Sequence, residues 1–373
     1  MQYLLAHSQG NPRNSEGAFV KLSGNRMLFA YSRYSGDDSY DDCPADIAAI
    51  VSNDGGKTWS EPRIIVKNTR QNVMSVSLLR LQDGRIAMHY LEKSAIDGYS
   101  QCECRPKITF SSDECETWSE VQDIASSVPA IYFVGNNDRL IQLKSGRLLM
   151  PYSHHFYRSG TRSGIGDGIG VFFYSDDGGK NWQQSKTVCY PPSPMYCGLM
   201  EPGVVELADG SLYGWFRTAL GCQYKTRSCD GGETWSIPIP APEFRSPSSP
   251  LSMKRNGADG MLYAVWNHHH PHFWVPVSSK WGARTPLVAA RSRDEGATWD
   301  EHWVIENSPD HGYAYTAMFF DEDKLFLAYC CGGEPDCVRM LQDCKINVLS
   351  LSQWGGDKDK SDFAAMNDHG ARR

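Results

Sequence analysis

Five aspartates stand in the same setting along this chain. Asp54, Asp113, Asp177, Asp230 and Asp294 each take the third place of an octapeptide S-x-D-x-G-x-T-W, read as SNDGGKTW (52–59), SSDECETW (111–118), SDDGGKNW (175–182), SCDGGETW (228–235) and SRDEGATW (292–299). Recurring carboxylates suggest acid or base chemistry, but the spacing assigns another task. The Asp side chain accepts N–H bonds from the residues just after it, Gly supplies a positive φ, and Trp buries between neighbouring units, which is the chemistry of a hairpin turn. Cys115 replaces Gly in one copy and Asn181 replaces Thr in another. The run NHHHPH (267–272) offers imidazoles, yet adjacent side chains of an extended segment point to opposite faces, so at most two meet one ion without a tight turn. Cys102-x-Cys104 with a distant Cys115 lacks the paired C-x2-C spacing of a structural zinc site. No metal and no cofactor is expected. The acidic stretch SRYSGDDSYDDCPADIAAIVS carries Asp37, Asp38, Asp41, Asp42 and Asp46; its composition fits a solvated loop, a weak calcium site or a proton donor.

The elements that would position such residues repeat as well. A strand pair about a polar turn recurs six times, as FVKLSGNRMLFAYS, LLRLQDGRIAMHYL, LIQLKSGRLLMPYS, VVELADGSLYGWFR, SMKRNGADGMLYAVWN and MFFDEDKLFLAYC. Apolar and polar residues alternate on both sides of a DG-like turn, the signature of a hairpin. One hairpin per unit sets blades near 16–60, 72–119, 136–183, 201–236, 246–300 and 312–350, the last without its own octapeptide. Units of this length suit four-stranded propeller blades. The expected fold is all-β, a six-bladed β-propeller with Asp-box turns, forming one domain over 1–351. The strand at 346–351 is expected to pair and close the ring. The polar tail, 352–373, is expected to be poorly ordered beyond Trp354.

Composition agrees with that architecture and removes several partners. Thirty-four Gly and 20 Pro accompany 18 Tyr, 14 Phe and 11 Trp, and 40% of residues are hydrophobic, as in a chain of short strands and tight turns. The net charge is −7, and no block of consecutive basic residues could follow a phosphate backbone, so nucleic acid is not an expected partner. No apolar run is long enough to span a bilayer, and the first residues lack a basic segment followed by an apolar one. No membrane partner is expected, and a cytoplasmic location is, unless an export signal has been removed. The twelve cysteines are scattered without a disulfide framework and read as mostly reduced thiols.

Five such octapeptides on six hairpins make residues 13–350 similar to the sialidase (neuraminidase) superfamily of bacterial Asp-box (BNR) repeat propellers. In that family a tyrosine attacks the anomeric carbon, a glutamate takes its proton, an aspartate is acid/base, and three arginines clamp the substrate carboxylate. MEPGVVELADGSLYGWFR matches the motif that opens the fourth blade and puts Glu201 in the glutamate position. Strand alternation sets Glu201 at the inner mouth of the ring and Glu206 on the opposite face. YAYTAMFFDEDKLFLAYC makes Tyr315 the candidate nucleophile, with Tyr313 two residues away as the alternative. A phenol needs a base within hydrogen-bond reach to act at neutral pH, which is the part the resemblance gives Glu201. Alignment on DIAAIVS places Asp42 in the acid/base position.

The clamp departs from the family. Glu16, in RNSEGAFVKL, stands where the first arginine belongs, with Arg13 three residues earlier. Arg33 matches an arginine after the first hairpin, Arg217 follows the glutamate hairpin with Gln223 nearby, and Arg284 precedes the strand leading to the fifth octapeptide. Asp138 and Arg139 open the third blade, and Arg139 or Arg105 is a candidate for binding an anion. A bidentate guanidinium is the best single recogniser of a carboxylate, so the loss of one matters. The resemblance implies a glycoside hydrolase, an exo-α-sialidase-like enzyme releasing a terminal sialic acid or related acidic sugar by a retaining Tyr/Glu mechanism. Its expected partner is a glycan or small acidic sugar. The alternatives are a polysaccharide lyase, or a non-catalytic glycan-binding propeller using Arg284, Trp274 and Trp281.

Overall fold

The computed structural model describes residues 2–95, 102–129, 132–157, 165–192, 197–269, 284–300, 302–333, 337 and 339–354. Strand β1 (Gln2–Leu5) precedes the first blade, β2 to β5 (Asn14–Lys21, Met27–Tyr34, Ala45–Ser52, Arg63–Val66). The second is β6 to β9 (Asn72–Arg80, Ile86–Ala95, Cys102–Ser111, Gln122–Asp123), and the third β10 to β14 (Phe133–Val134, Ile141–Gln142, Leu148–Tyr157, Ile165–Ser175, Gln183–Gln184). The fourth is β15 to β18 (Met200–Glu206, Leu212–Arg217, Cys222–Ser228, Ile239–Arg245), and the fifth β19 to β22 (Ser252–Arg255, Leu262–Asn267, Leu287–Ser292, Trp303–Glu306). Strands β23 to β25 (His311–Asp321, Lys324–Gly333, Asp343–Ser350) begin the sixth. Six antiparallel sheets result, each a meander of four strands except the third, where β10 and β11 both pair with β12, and the sixth, which is completed by β1.

Ring closure runs through the expected strand, with a partner from the chain start. Strand β25, which covers 346–350 of that segment, is the third strand of the sixth blade. The outer edge is β1, paired with β25 in the register Leu4↔Lys345. The chain start is thereby hydrogen-bonded to its last blade. Short β1 has no hairpin partner next to it in sequence, which is why alternation alone did not assign it. The polar tail from 355 lies outside the described residues, but Trp354 is buried against Tyr263 and Trp303. Among the described residues no helix is long and apolar enough to cross a membrane.

The apolar core lies between blades. Phe29 and Ile50 of the first blade pack with Ala328 and Ile346 of the sixth. Phe172 of the third packs with Val204 and Phe216 of the fourth, and Trp215 of the fourth with Met253 and Ala264 of the fifth. Each sheet is therefore apolar on both faces, as radial packing requires.

The octapeptides hold the turns between the third and fourth strands. Asp54 Oδ1 accepts from the backbone N–H of Lys57 and Thr58 at 3.0 and 2.9 Å, and Thr58 Oγ1 donates to Oδ2 at 2.7 Å. Asp113, Asp177, Asp230 and Asp294 accept from the N–H four residues on at 2.8–2.9 Å. Asn181 keeps the side-chain bond that Thr makes elsewhere, donating to Asp177 at 2.6 Å. Cys115 adopts the glycine conformation, φ 69°. The box tryptophan of the fourth blade stacks on Phe172 at 3.8 Å and donates to Gly232 O.

Candidate active site

The site is made by breaking strand alternation. The innermost strands of blades one, two, four and six each carry a bulge, at Ser15/Ala18, Met74/Ser77, Met200/Gly203 and Ala314/Ala317. Inside each bulge one non-glycine residue has a left-handed backbone: Glu16 (φ 55°), Ser75 (57°), Glu201 (44°) and Tyr315 (60°). Asp138 (60°) does the same at the opening of the third blade. Such conformations cost about 1–3 kcal/mol each and persist only where surrounding structure holds them. Here small neighbours hold them: a Cβ on Gly17 would collide with the Phe29 ring and one on Gly203 with Trp215. Alternation predicted the mouth for Glu201; the bulge is what turns it there.

Blades four and six meet through these residues. Tyr315 Oη donates to Glu201 Oε1 at 3.1 Å, and Arg217 Nη1 donates to the same oxygen at 2.8 Å while lying 3.5 Å from the phenol. Arg284 lies over the Tyr315 ring, 5.5 Å from its centroid, and donates to the carbonyl of Ser248 at 3.2 Å. Burial raises the Tyr315 phenol above its ordinary range and the Glu201 carboxylate adds to this, with Arg284 and Arg217 opposing. Glu201 Oε2 is buried and has no hydrogen-bond partner.

Blades one and two build the facing corner. Arg13 Nη1 binds Asp41 Oδ1 at 2.6 Å, and Nη2 lies 3.6 Å from Glu16. Ser75 Oγ donates to Glu16 Oε2 at 3.3 Å. Lys93 Nζ donates to the Asp41 carbonyl at 2.9 Å and to Asp42 Oδ1 at 3.1 Å. Burial pushes the Glu16 carboxyl up to about 7, against the pull of Arg13. Desolvation in the crowded corner also acts on Asp41, but Arg13 and Lys93 outweigh it and hold that carboxyl at about 2. Asp42, the expected acid/base residue, is at this corner with its side chain 67% exposed.

Of the residues singled out from sequence, Tyr315, Glu201, Arg217, Arg284, Glu16 and Asp42 converge on this channel mouth. Asp138 and Arg139 converge deeper: Asp138 binds Lys254 at 2.6 Å and the Met318 N–H at 2.8 Å, and Arg139 donates to Leu251 O and Ser252 Oγ. Burial lowers Arg139 to about 10; it ties blades three and five rather than facing a ligand. Arg105 is held by Asp123 and Ala125 O on its own blade. Arg33 shares the Tyr31 face of β3, opposite Tyr34, whose ring lies under Arg13; it does not join the cluster. Glu206 accepts from the Lys144 N–H at 2.9 Å, at a turn. Trp274, Trp281 and the histidines at 270 and 272 lie outside the described residues.

Sequence reasoning missed Lys93 and Ser75. A cation stands near the end of the second hairpin strand in LFAYSRYSG, AMHYLEKSA and LYGWFRTA, but at a different register from the bulge in each, so no shared position marked the lysine. Nothing local marked Ser75, whose place follows from its bulge. Among the described residues one group brings metal-ligand atoms within 4.8 Å of one another, His7, Cys337 and Asp343. Both the His7 N–H and Nδ1 already lie 2.7 Å from Asp343 Oδ1.

With this geometry in place, comparisons identify the chain's relatives. The model of the BNR repeat-like domain family matches residues 25–327. An anhydrosialidase of Macrobdella decora is 32% identical over 139 residues, covering 35% of this chain and 16% of that protein. A sialidase of Paraclostridium sordellii is 25% identical over 351 residues, covering 83% of this chain and 79% of that protein. Among solved structures, a leech intramolecular trans-sialidase complexed with 2,7-anhydro-Neu5Ac superposes with a TM-score of 0.71 at 16% identity, covering 95% of this chain and 70% of that one. At that identity the likeness is one of fold.

Proposed function

This chain belongs to the family of BNR repeat-like domains, within the sialidase superfamily of propellers, and we propose that it hydrolyses a terminal glycosidic bond of a glycan with retention of configuration. The observation that carries this reading is the hydrogen bond from Tyr315 Oη to Glu201 Oε1, 3.1 Å long, between residues of different blades. A binding module has no use for a buried phenol on a buried carboxylate, whereas a nucleophile with its base requires that pair.

Tyr315 Oη attacks the anomeric carbon, and its proton passes to Glu201 along the bond already made. Arg217 and Arg284 oppose the burial penalty on the phenolate form, so charge developing on the oxygen meets preorganised cations. Asp42 protonates the leaving oxygen. Asp41 is the less suited of the two acids, because the buried Arg13 holds its carboxyl at about 2, whereas Asp42 meets only the Lys93 ammonium and keeps its side chain 67% exposed. A water molecule then attacks the anomeric carbon and gives a proton to Asp42, while the bond to Tyr315 breaks and the departing phenolate takes its proton back from Glu201.

A fluorinated glycosyl fluoride that slows the second step should leave a sugar on Tyr315, visible as a mass increment on its tryptic peptide. Proton NMR of the first-formed product should show the anomer of the substrate. Inverted product, or a label on another residue, would refute the tyrosine mechanism; cleavage to an unsaturated sugar would favour a lyase.

A further inference from the structure

The charges around Tyr315 are already matched. Arg13 serves Asp41 and Glu16, Lys93 serves Asp42, and Arg217 serves Glu201. Among the described residues of the site, Arg284 alone has a guanidinium without a carboxylate partner, and one of its donors is engaged by Ser248 O. A substrate carboxylate would meet one open cation and two buried carboxyl groups, Glu16 and Glu201, 4% and 5% exposed.

The unmet hydrogen-bonding capacity runs both ways. Arg13 Nη2 is a buried donor with no acceptor in reach, 3.6 Å from Glu16, while two carboxylate oxygens are short of donors. A sugar hydroxyl, unlike a carboxylate, both donates and accepts. Glu201 Oε2 is a buried acceptor with no donor, and Glu16 Oε2 receives only the long 3.3 Å bond from Ser75. A buried acceptor left unmatched is costly, so a ligand that fits supplies donors. A carboxylate has none to supply, and its own charge is repelled. Sugar hydroxyls supply them, and accept from Arg284 as well.

Resting on the hydrolase reading, we propose that the substrate is an uncharged sugar, without a carboxylate on its ring, its hydroxyl or hydroxymethyl groups donating to Glu16 and Glu201, and that Glu16 sets this choice. Glu16 is a specificity-determining residue: it stands on the first-blade bulge facing the Tyr315–Glu201 pair, and replaces what a clamp would need, a cation, with an acceptor.

Matched aryl glycosides that differ only in the carboxylate test it: glucoside against glucuronide, galactoside against galacturonide, and the methyl ester of a sialoside against the free acid. At pH 7.5 the uncharged member of the best pair should have a kcat/KM at least about tenfold higher, one decade being 1.4 kcal/mol. Glu16→Gln should narrow that ratio and Glu16→Arg should reverse it, each measured on protein that melts in a single cooperative transition well above the assay temperature. A charged member preferred by the wild type overturns the proposal, whatever the variants do. So does a ratio unmoved in folded Glu16→Gln, even if Tyr315 is labelled by the trap, in which case the hydrolase reading stands alone. If no pair is turned over and no label forms, the hydrolase reading fails. The same sugars are then compared by saturation-transfer NMR, where stronger contacts from the charged members overturn the substrate class and stronger contacts from the uncharged ones support it.

Discussion

The octapeptide turns and the channel-facing bulges both repeat around the ring, and they repeat in different ways. At a turn, residue types are kept and every essential bond spans four residues or fewer: Ser52 to Asp54, Asp54 to Thr58, and the same again four times. At the bulges the backbone is kept and residue types diverge, so that Glu16, Ser75, Glu201 and Tyr315 occupy equivalent left-handed positions. Their partners are 59 residues away for Ser75 with Glu16 and 114 for Tyr315 with Glu201. Repetition of side chains therefore marks structure in this molecule, and divergence at a repeated backbone position marks the site.

If that contrast is sound, a change in the channel alters chemistry without stability, and a change at a turn does the reverse. The largest effect belongs to Tyr315→Phe, which should lower kcat on the best glycoside on the order of 10^3-fold or more while leaving the urea midpoint nearly unchanged, because the ring keeps its packing. A large loss of stability in that variant would make Tyr315 a structural residue like those of the rim. Next comes Trp235→Ala, which removes the ring stacked on Phe172. Calorimetric or urea unfolding should show a loss of about 3–5 kcal/mol, with activity per folded molecule retained; unchanged stability would deny the turns their structural part.

The third test separates the two regions by pH. Glu16 has a carboxyl raised to about 7 by burial, so the folded state holds its proton more tightly than the unfolded chain does. Its contribution is fully present below the ordinary value of about 4.5 and is lost as pH rises through about 7. The groups acting on it are Arg13, Asp41, Glu201 and Lys93. Unfolding free energies from urea titrations between pH 4 and 8 should fall with pH by on the order of 3 kcal/mol in wild type, and the slope should flatten in Glu16→Gln. An identical slope in that variant would remove the buried proton from the account. The octapeptide carboxylates work the other way and more weakly. Hydrogen bonds from Thr58 hold Asp54 at about 2, so its contribution is present above the ordinary 3.8 and is lost as pH falls through 2. Asp54→Asn should be less stable than wild type above about pH 4, approach it as pH falls through about 2, and keep full activity at neutral pH; a fall in turnover would give the turn a part in chemistry.

The legibility of the two regions follows from the same contrast. Octapeptides and hairpins are local, so their number and spacing were enough for six blades and for the structural reading of Asp54 and its four equivalents. Glu201 and Tyr315 were legible through a motif on each strand, without any sign of how far apart they would lie. Asp42 was named from an alignment in which Asp41 competed, and the two part only in space, Asp41 on Arg13 and Asp42 on Lys93. Arg33 illustrates the limit: it matches a motif, but the pleat of β3 carries it to the face with Tyr31.

Alternating residues, glycines at turns and Asp–Thr pairs four apart act over distances that chain connectivity already imposes, and they determined the hairpins, the boxes and hence the propeller. The closure of the ring by β1 was decided elsewhere, by a strand edge that only the assembled sixth blade presents. So was the site, because a bulge reverses which way a side chain faces without leaving a mark in residue type. Which cations are already matched, and that Glu16 and Glu201 are buried beside one phenol, depends on six strands meeting at one axis; those separations are set by blade packing and not by sequence distance.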